Sequence, residues 1–233
     1  RVWAEIDLSA IRSNLNVIRR HLRPGVRILA VVKADAYGLG AVPVAWTALS
    51  AGAGCLGVGD SSEALQLREN GITGPILILG AIIEEEISRV VEYDIGVTLH
   101  SGDLLPLLEE EARRRDRVLR VHLKVDTGMG RLGTSPARVM DIVRDIQSCP
   151  HLELEGICTH FSSVASGNIE YTRDQLARFR EVLDDLAREG IRPPVIHASN
   201  SVGIFTLPEA QFDMVRTGIA LFGFDPGLFS SLH

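Results

Sequence analysis

Short apolar runs recur along the chain, and each is followed by a longer segment in which apolar residues return with helical period. The runs cover 27–32, 55–58, 76–79, 95–98, 118–125, 152–159, 194–198 and 212–216, which makes eight strand candidates. Helical patterns lie between them at 41–51, 61–70, 84–93, 103–114, 136–147 and 172–188, and one more, 9–21, precedes the first full strand. Their ends carry signals: Ser9 as an N-cap, Pro136 in a first turn, Gly71 and Gly190 just past the last helical residues. Strands alternating with helices are the mark of a parallel sheet joined by crossover helices. Eight such repeats in 233 residues predict one (β/α)8 barrel of TIM type. A doubly wound open sheet is the alternative, but it normally carries fewer strands at this length.

A closed barrel puts its chemistry at the carboxyl ends of the strands. There the sequence has Lys33, Arg131 in a turn rich in glycine (Gly128, Gly130, Gly133), His160, Asn200 with Ser201, and Arg216. Lys33 ends an apolar strand, where screening from water would lower its pKa and favour the nucleophilic amine; the plain alternative is a lysine snorkelling from a strand end. The run 118–125 is unusual, because Val121, Leu123 and Val125 alternate with Arg120, His122 and Lys124. In a barrel some of that cationic face must point inward and find partners.

Composition narrows the classes. With 24 Lys and Arg against 30 Asp and Glu the net charge is −6, hydrophobic residues make up 45%, and disorder is excluded. No basic stripe marks a nucleic-acid partner, so small-molecule chemistry is expected. No apolar run reaches membrane-spanning length and no signal peptide is visible, so a soluble, cytoplasmic protein is expected. The first residue is Arg1 rather than Met, which leaves the natural start open. Cys55, Cys149 and Cys158 form no CxxC spacing and are read as reduced, with Cys55 and Cys158 as small buried hydrophobes; no metal site is expected.

Five segments in order give the sequence a resemblance. They are Ala30-Val31-Val32-Lys33-Ala34-Asp35-Ala36-Tyr37-Gly38-Leu39-Gly40, then Lys124-Val125-Asp126-Thr127-Gly128-Met129-Gly130-Arg131-Leu132-Gly133, Thr159-His160-Phe161, Ala198-Ser199-Asn200-Ser201, and Val215-Arg216-Thr217-Gly218-Ile219-Ala220-Leu221-Phe222-Gly223. The opening Trp3-Ala4-Glu5-Ile6-Asp7-Leu8 belongs with them. Together they resemble the N-terminal, pyridoxal-phosphate-binding barrel of alanine racemases, a fold-type III barrel, over almost the whole chain.

The resemblance implies that Lys33 carries pyridoxal 5′-phosphate as an aldimine and, once released by substrate, is the base on one face of the substrate Cα. Tyr37, Asn200, Ser201, Gly218 and Ile219 match the phosphate-binding positions; for Ser201 an ordinary N-cap is compatible with that role. Arg216 matches the residue at the pyridine nitrogen. An arginine has no acceptor and stays cationic, so it disfavours a protonated ring and makes a weaker electron sink than the carboxylate of related decarboxylases. His160 resembles the histidine beside the ring that supports this arginine, and its plain reading is a satisfied core histidine. Arg131 resembles the arginine directed at the cofactor's phenolic oxygen and the substrate carboxylate. Lys124 matches a position carbamylated in many members, which would give Arg131 an anionic partner.

The family continues into a C-terminal β domain, which supplies a tyrosine as the second base across a head-to-tail homodimer. Tyr93 and Tyr171 do not lie in a matching motif, and Tyr37 is allotted to the phosphate. Residues 1–227 are therefore read as the barrel domain and 228–233 as a tail without resemblance. The implied activity is interconversion of L- and D-alanine, which supplies D-alanine for peptidoglycan. The barrel alone is expected to racemise poorly and to leave apolar interface surface uncovered. A non-catalytic single-domain barrel that binds and manages pyridoxal phosphate, and a serine or broad-specificity racemase, are the competing readings.

Arg216→Glu is expected to produce a long-lived quinonoid absorption when substrate meets the cofactor-loaded protein, whereas the unmodified protein should show none. A prominent band in the unmodified protein would count against the weak-sink reading.

Overall fold

The computed structural model describes residues 2–162 and 169–224, so the tail 228–233 lies outside the described residues. Among these residues eight strands run β1 Arg27–Val31, β2 Cys55–Val58, β3 Ile76–Ile78, β4 Gly96–Leu99, β5 Leu119–Lys124, β6 Leu152–Cys158, β7 Val195–His197 and β8 Met214–Thr217. Each pairs in parallel with the next, and β1 pairs with β8 through Arg27 to Ala30, which closes the barrel. The predicted (β/α)8 barrel is present and the open sheet is not. Outside it lie the helices Leu8–Arg20, Ala41–Ser50, Ser61–Glu69, Ile87–Glu92, Leu105–Arg114, Val139–Gln147 and Ile169–Arg188, and the short helix Ser201–Thr206 follows β7. Among the described residues no helix is long and apolar enough to cross a membrane.

Local chemistry moves several boundaries. The first helix is capped by Asp7 rather than Ser9: its carboxylate accepts from the Ser9 N–H at 2.8 Å and from the Ser9 hydroxyl. A carboxylate at the positive end of the helix is the stronger cap. Glu84–Glu86 and Pro136–Arg138 form 3-10 turns, with helices beginning at Ile87 and Val139. In the last strand-like run, pairing starts at Met214, and Phe212 takes a left-handed φ of 44° before it.

Alternation along each strand builds two cores. Outward residues such as Ile28, Ala30, Leu56, Ile78, Val97, Val121 and Leu123 pack against Leu15, Val44, Leu67, Leu108 and Val143 of the helices. Inside, Leu29, Val31, Leu77, Val195 and Met214 form a small separate apolar cluster. The rest of the interior is polar, because His122, Lys124, His197 and Arg216 are all buried there. The cationic face of β5 therefore points inward, as its pattern requires. Arg120 and His122 line a cavity at the amino ends of the strands, and Lys124 lines a larger one at the carboxyl ends. Arg120 finds Asp94 at 2.8 Å.

The amino end is tied by one side chain. Arg68 donates to the carbonyls of Ile72 at 2.8 Å and Gly74 at 2.7 Å before β3, and to those of Tyr93 and Asp94, both at 3.0 Å, before β4. Arg68→Met keeps the apolar stem and removes all four bonds. It is expected to lower the unfolding free energy by about 2–4 kcal/mol, read as a lower urea midpoint with an unchanged m-value.

Candidate active site

At the carboxyl ends of the strands lies a cavity of about 420 Å³. Its lining includes Lys33, Tyr37, Lys124, Arg131, His160, Asn200, Ser201, Arg216, Gly218 and Ile219, so every site residue expected from sequence reaches one place. The strands deliver them. Lys124 ends β5, His160 stands two residues past β6, Asn200 and Ser201 open the short helix after β7, Arg216 lies within β8, and Gly218 and Ile219 follow it.

Lys33 arrives by an unusual route. From Ala34 to Tyr37 four consecutive residues have φ between 50° and 59°, a left-handed turn made without glycine. Such backbone costs roughly 1–2 kcal/mol per residue and persists only where its surroundings over-determine it. Here Glu63 accepts from the Ala34 N–H at 2.6 Å and the Gly59 N–H at 2.7 Å, while the Asp35 carboxylate accepts from the Ala41 N–H at 2.7 Å. The turn brings the Tyr37 ring against Phe222, with centroids 5.0 Å apart. A Cβ on Gly218 would lie 2.6 Å from the Tyr37 hydroxyl, so only glycine lets backbone approach this closely. Lys33 stands just before the turn and is exposed. The screening expected for a strand-end amine is thus not provided by this chain: β1 stops at Val31, and Lys33, two residues on, is exposed at the rim of the cavity.

Arg131 also sits exposed on the rim, in a loop held from both sides. The Asp126 carboxylate accepts from the N–H groups of Gly128, Met129 and Gly130 at 2.9, 2.8 and 3.0 Å. Burial opposes ionisation, yet those donors hold the Asp126 carboxyl below its ordinary range. From the helix Ile169–Arg188, the Tyr171 hydroxyl donates to the Gly128 carbonyl at 2.8 Å and Arg178 donates to that of Thr127 at 2.9 Å. Gln175, fully buried, donates to the His160 carbonyl at 3.2 Å and so ties the Arg131 loop to the end of β6.

Ser201 is not the N-cap of its helix. Asn200 is, accepting from the Gly203 N–H at 3.0 Å, while the Ser201 hydroxyl accepts from Gly218 at 3.0 Å and Ala220 at 3.2 Å. The serine is spent on the β8 turn because the asparagine one position earlier has the extended backbone a cap needs.

Arg216 is buried, with 6% of its surface exposed. Its guanidinium donates to the carbonyls of Thr159 and Ala198 at 2.8 and 2.9 Å, to His197 Nδ1 at 2.8 Å and to His160 Nδ1 at 3.2 Å. Arginine only donates, so both imidazoles accept through Nδ1 and are neutral with the proton on Nε2. Burial and the nearby cations, Arg216 first, push the His160 pKa down to about 3. Burial also lowers the Lys124 amine, with Arg216 and Arg131 adding to the effect. The lining holds four cationic side chains, Lys33, Lys124, Arg131 and Arg216, and among its residues no carboxylate. Cys158 lies in the same wall, and burial raises its thiol pKa, as burial raises that of Cys55 to about 12. Both behave as small hydrophobes.

Sequence reasoning missed the left-handed turn, the clamp from Gln175, Tyr171 and Arg178, and the partner His197. Only the alternation of β5 hinted that an inward histidine needs a partner.

A family model described as alanine racemase, N-terminal domain, matches residues 6–226. An alanine racemase of Symbiobacterium thermophilum is 46% identical over 224 residues, spanning 96% of this chain and 59% of the relative, and one of Methanococcus maripaludis is 44% identical, spanning 97% and 61%. The crystal structure of alanine racemase from D-cycloserine-producing Streptomyces lavendulae superposes with a TM-score of 0.92 at 37% identity, spanning 99% of this chain and 63% of that one. The alanine racemase structure from Clostridium difficile superposes with a TM-score of 0.91 at 36% identity, spanning 94% and 58%. The chain thus spans about three fifths of the length of these relatives. A barrel of this topology, matched from residue 6 to residue 226, belongs to the alanine racemase N-terminal domain family.

Proposed function

We propose that this chain is the cofactor-binding barrel, residues 1–227, of a pyridoxal-phosphate-dependent racemase that interconverts L- and D-alanine and so supplies D-alanine for peptidoglycan. The observation that carries the reading is the cavity that sets four cations and no carboxylate beside a hydroxyl-lined glycine turn. Such a donor set fits a phosphate ester and a substrate carboxylate bound together. The cofactor's fit rests on Tyr37, Ser201 and the Gly218–Ile219 backbone for the phosphate, a lysine on the rim for the aldehyde, and a pure donor, Arg216, for the ring nitrogen. When bound, pyridoxal phosphate supplies a conjugated ring that makes the substrate Cα–H acidic.

The chain's own residues then have distinct tasks. Lys33 Nζ would hold the cofactor covalently and, once free, would carry a proton to and from one face of the substrate Cα. Arg216 keeps its charge and offers only hydrogens, so it would disfavour protonation of the ring nitrogen of bound pyridoxal phosphate. His160, neutral and accepting from Arg216, fixes that guanidinium. Arg131 binds the substrate carboxylate. Lys124, whose amine pKa burial lowers, reaches more readily the neutral form that would add carbon dioxide to give a carbamate and a released proton, and the resulting anion would pair with Arg131.

Racemisation needs a proton group on the second face. About two fifths of each relative's length lies outside the matched part, which is room for a C-terminal domain in the whole protein; that domain would bring a tyrosine across a head-to-tail homodimer. The names of the relatives favour alanine over serine or a broad substrate range.

Added pyridoxal phosphate should give an absorbing adduct that borohydride fixes on the peptide containing Lys33. Lys33→Ala should lose the adduct and, in the whole protein, about 100- to 10,000-fold in turnover. Labelling elsewhere would overturn the assignment, while labelling at Lys33 without turnover in the whole protein would favour a cofactor-binding protein that does no racemisation. Native mass measurement should show one added carbon dioxide, absent in Lys124→Ala and lost on acidification; its absence would remove the carbamate.

A further inference from the structure

The hydrogen bonds of Arg216 do not stop at His197. His197 Nε2 lies 2.9 Å from His122 Nδ1, and His122 Nε2 lies 3.0 Å from the Glu155 carboxylate. Glu155 and His122 line the cavity at the amino ends of the strands, whereas Arg216 lines the one at the carboxyl ends. The four side chains thus cross the barrel interior from one mouth to the other.

The direction of this chain is set by chemistry. Arg216 can only donate, so His197 accepts at Nδ1 and carries its proton on Nε2. That proton is donated to His122 Nδ1, which leaves the His122 proton on Nε2, facing a carboxylate that only accepts. Every bond therefore runs the same way, from guanidinium to carboxylate, through two neutral imidazoles. Burial, with Arg216 next in effect, holds His197 far below its ordinary pKa, and the bond from His122 lowers that of Glu155.

Two backbone features are shaped around the relay. The pairing of β5 with β6 goes from Val121↔Leu154 to His122↔Gly156, so Glu155 is an extra residue in β6, a bulge of the kind that re-aims a side chain. Next to it, a Cβ on Gly156 would lie 2.3 Å from His122 Nδ1, so glycine makes the room in which the ring reaches His197. The bulge and the glycine are independent of the hydrogen bonds they permit. Arg216 has no ion pair with a carboxylate among the described residues, and Glu155 stands at the far end with Arg27 and Arg120 around it.

We propose that Glu155 and His122 are positioning residues for the reaction at the opposite mouth: they lock His197 as an acceptor toward Arg216. This rests on the reading that Arg216 faces the ring nitrogen of bound pyridoxal phosphate. Without the relay, the His122 ring can turn and present a proton to His197, whose Nδ1–H would then oppose the guanidinium. Arg216 would lose a bond and its fixed aim.

The test uses the whole protein, barrel with its C-terminal domain. In 15N-histidine-labelled protein without cofactor, His122 and His197 should both appear as neutral Nε2–H tautomers. Loaded with pyridoxal phosphate 15N-labelled in its ring, the unmodified protein should show the shift of an unprotonated nitrogen. Glu155→Leu should move or split both the His197 and the ring-nitrogen signals and lower kcat about tenfold with KM within twofold, and Glu155→Gln, which still accepts from His122, should restore most of both. An Nδ1–H tautomer or a doubly protonated ring at either histidine overturns the relay without any variant having to fold. Unchanged His197 and ring-nitrogen signals in a folded Glu155→Leu protein overturn the positioning role. If Lys33 takes no label from borohydride while both histidines show the expected tautomers, the cofactor reading fails and the relay stands as a hydrogen-bond chain without that task.

Discussion

Placing a guanidinium inside a parallel barrel is the constraint around which the rest of this molecule is arranged. A buried cation is costly unless its donors are all met. From Nη1 and Nη2, Arg216 donates to two strand-end carbonyls and two imidazoles, which meets part of that demand. Those acceptors come from β6, β7 and the residues after them, so the charge can be held only where these strands lie side by side. Closing the barrel is thus also what completes the site.

The interior reflects the same division. Leu29, Val31, Leu77, Val195 and Met214 form an apolar cluster, and next to it on the same or other strands stand buried histidines, a lysine and the arginine. Outside the strands, a much larger apolar shell against the helices holds the barrel together. That division lets the polar interior be weighted toward chemistry. It also explains why strained backbone is tolerated between Ala34 and Tyr37, where backbone N–H groups donate to Glu63 and Asp35 and hold the turn on a scaffold already stabilised elsewhere.

Electrostatically, the carboxyl-end mouth is an anion trap and the amino-end mouth is mixed. Arg27, Arg120 and Glu155 share the lower cavity, while the upper one contains cations alone among its charged lining residues. The lowered pKa values of His160 and Lys124 come first from burial, and the neighbouring positive charges add to it because each disfavours protonation nearby.

Much of this was written in the sequence. Strand periodicity and strand-to-helix alternation are local, so eight strands, the closed barrel and the gathering of Lys33, Arg131, His160, Asn200, Ser201 and Arg216 at one mouth could be read from the order of residues, while Tyr37, Lys124, Gly218 and Ile219 joined them through the family resemblance. The inward cationic face of β5 was visible as strict alternation. Other features needed the folded chain. The left-handed turn at Ala34 to Tyr37 has no glycine to announce it, and the exposure of Lys33 depends on where β1 stops. Asp7 outcompetes Ser9, and Asn200 displaces Ser201 as a cap, because the choice between neighbouring polar side chains is made by backbone angles that neighbouring elements impose. The bulge at Glu155 and the contact of His122 with His197 depend on strand register, a relation between segments 75 residues apart that no local pattern encodes. Sequence determined which side chains line the barrel, since alternation is a property of single strands; tertiary structure decided which of them touch, since contact depends on the stagger between strands.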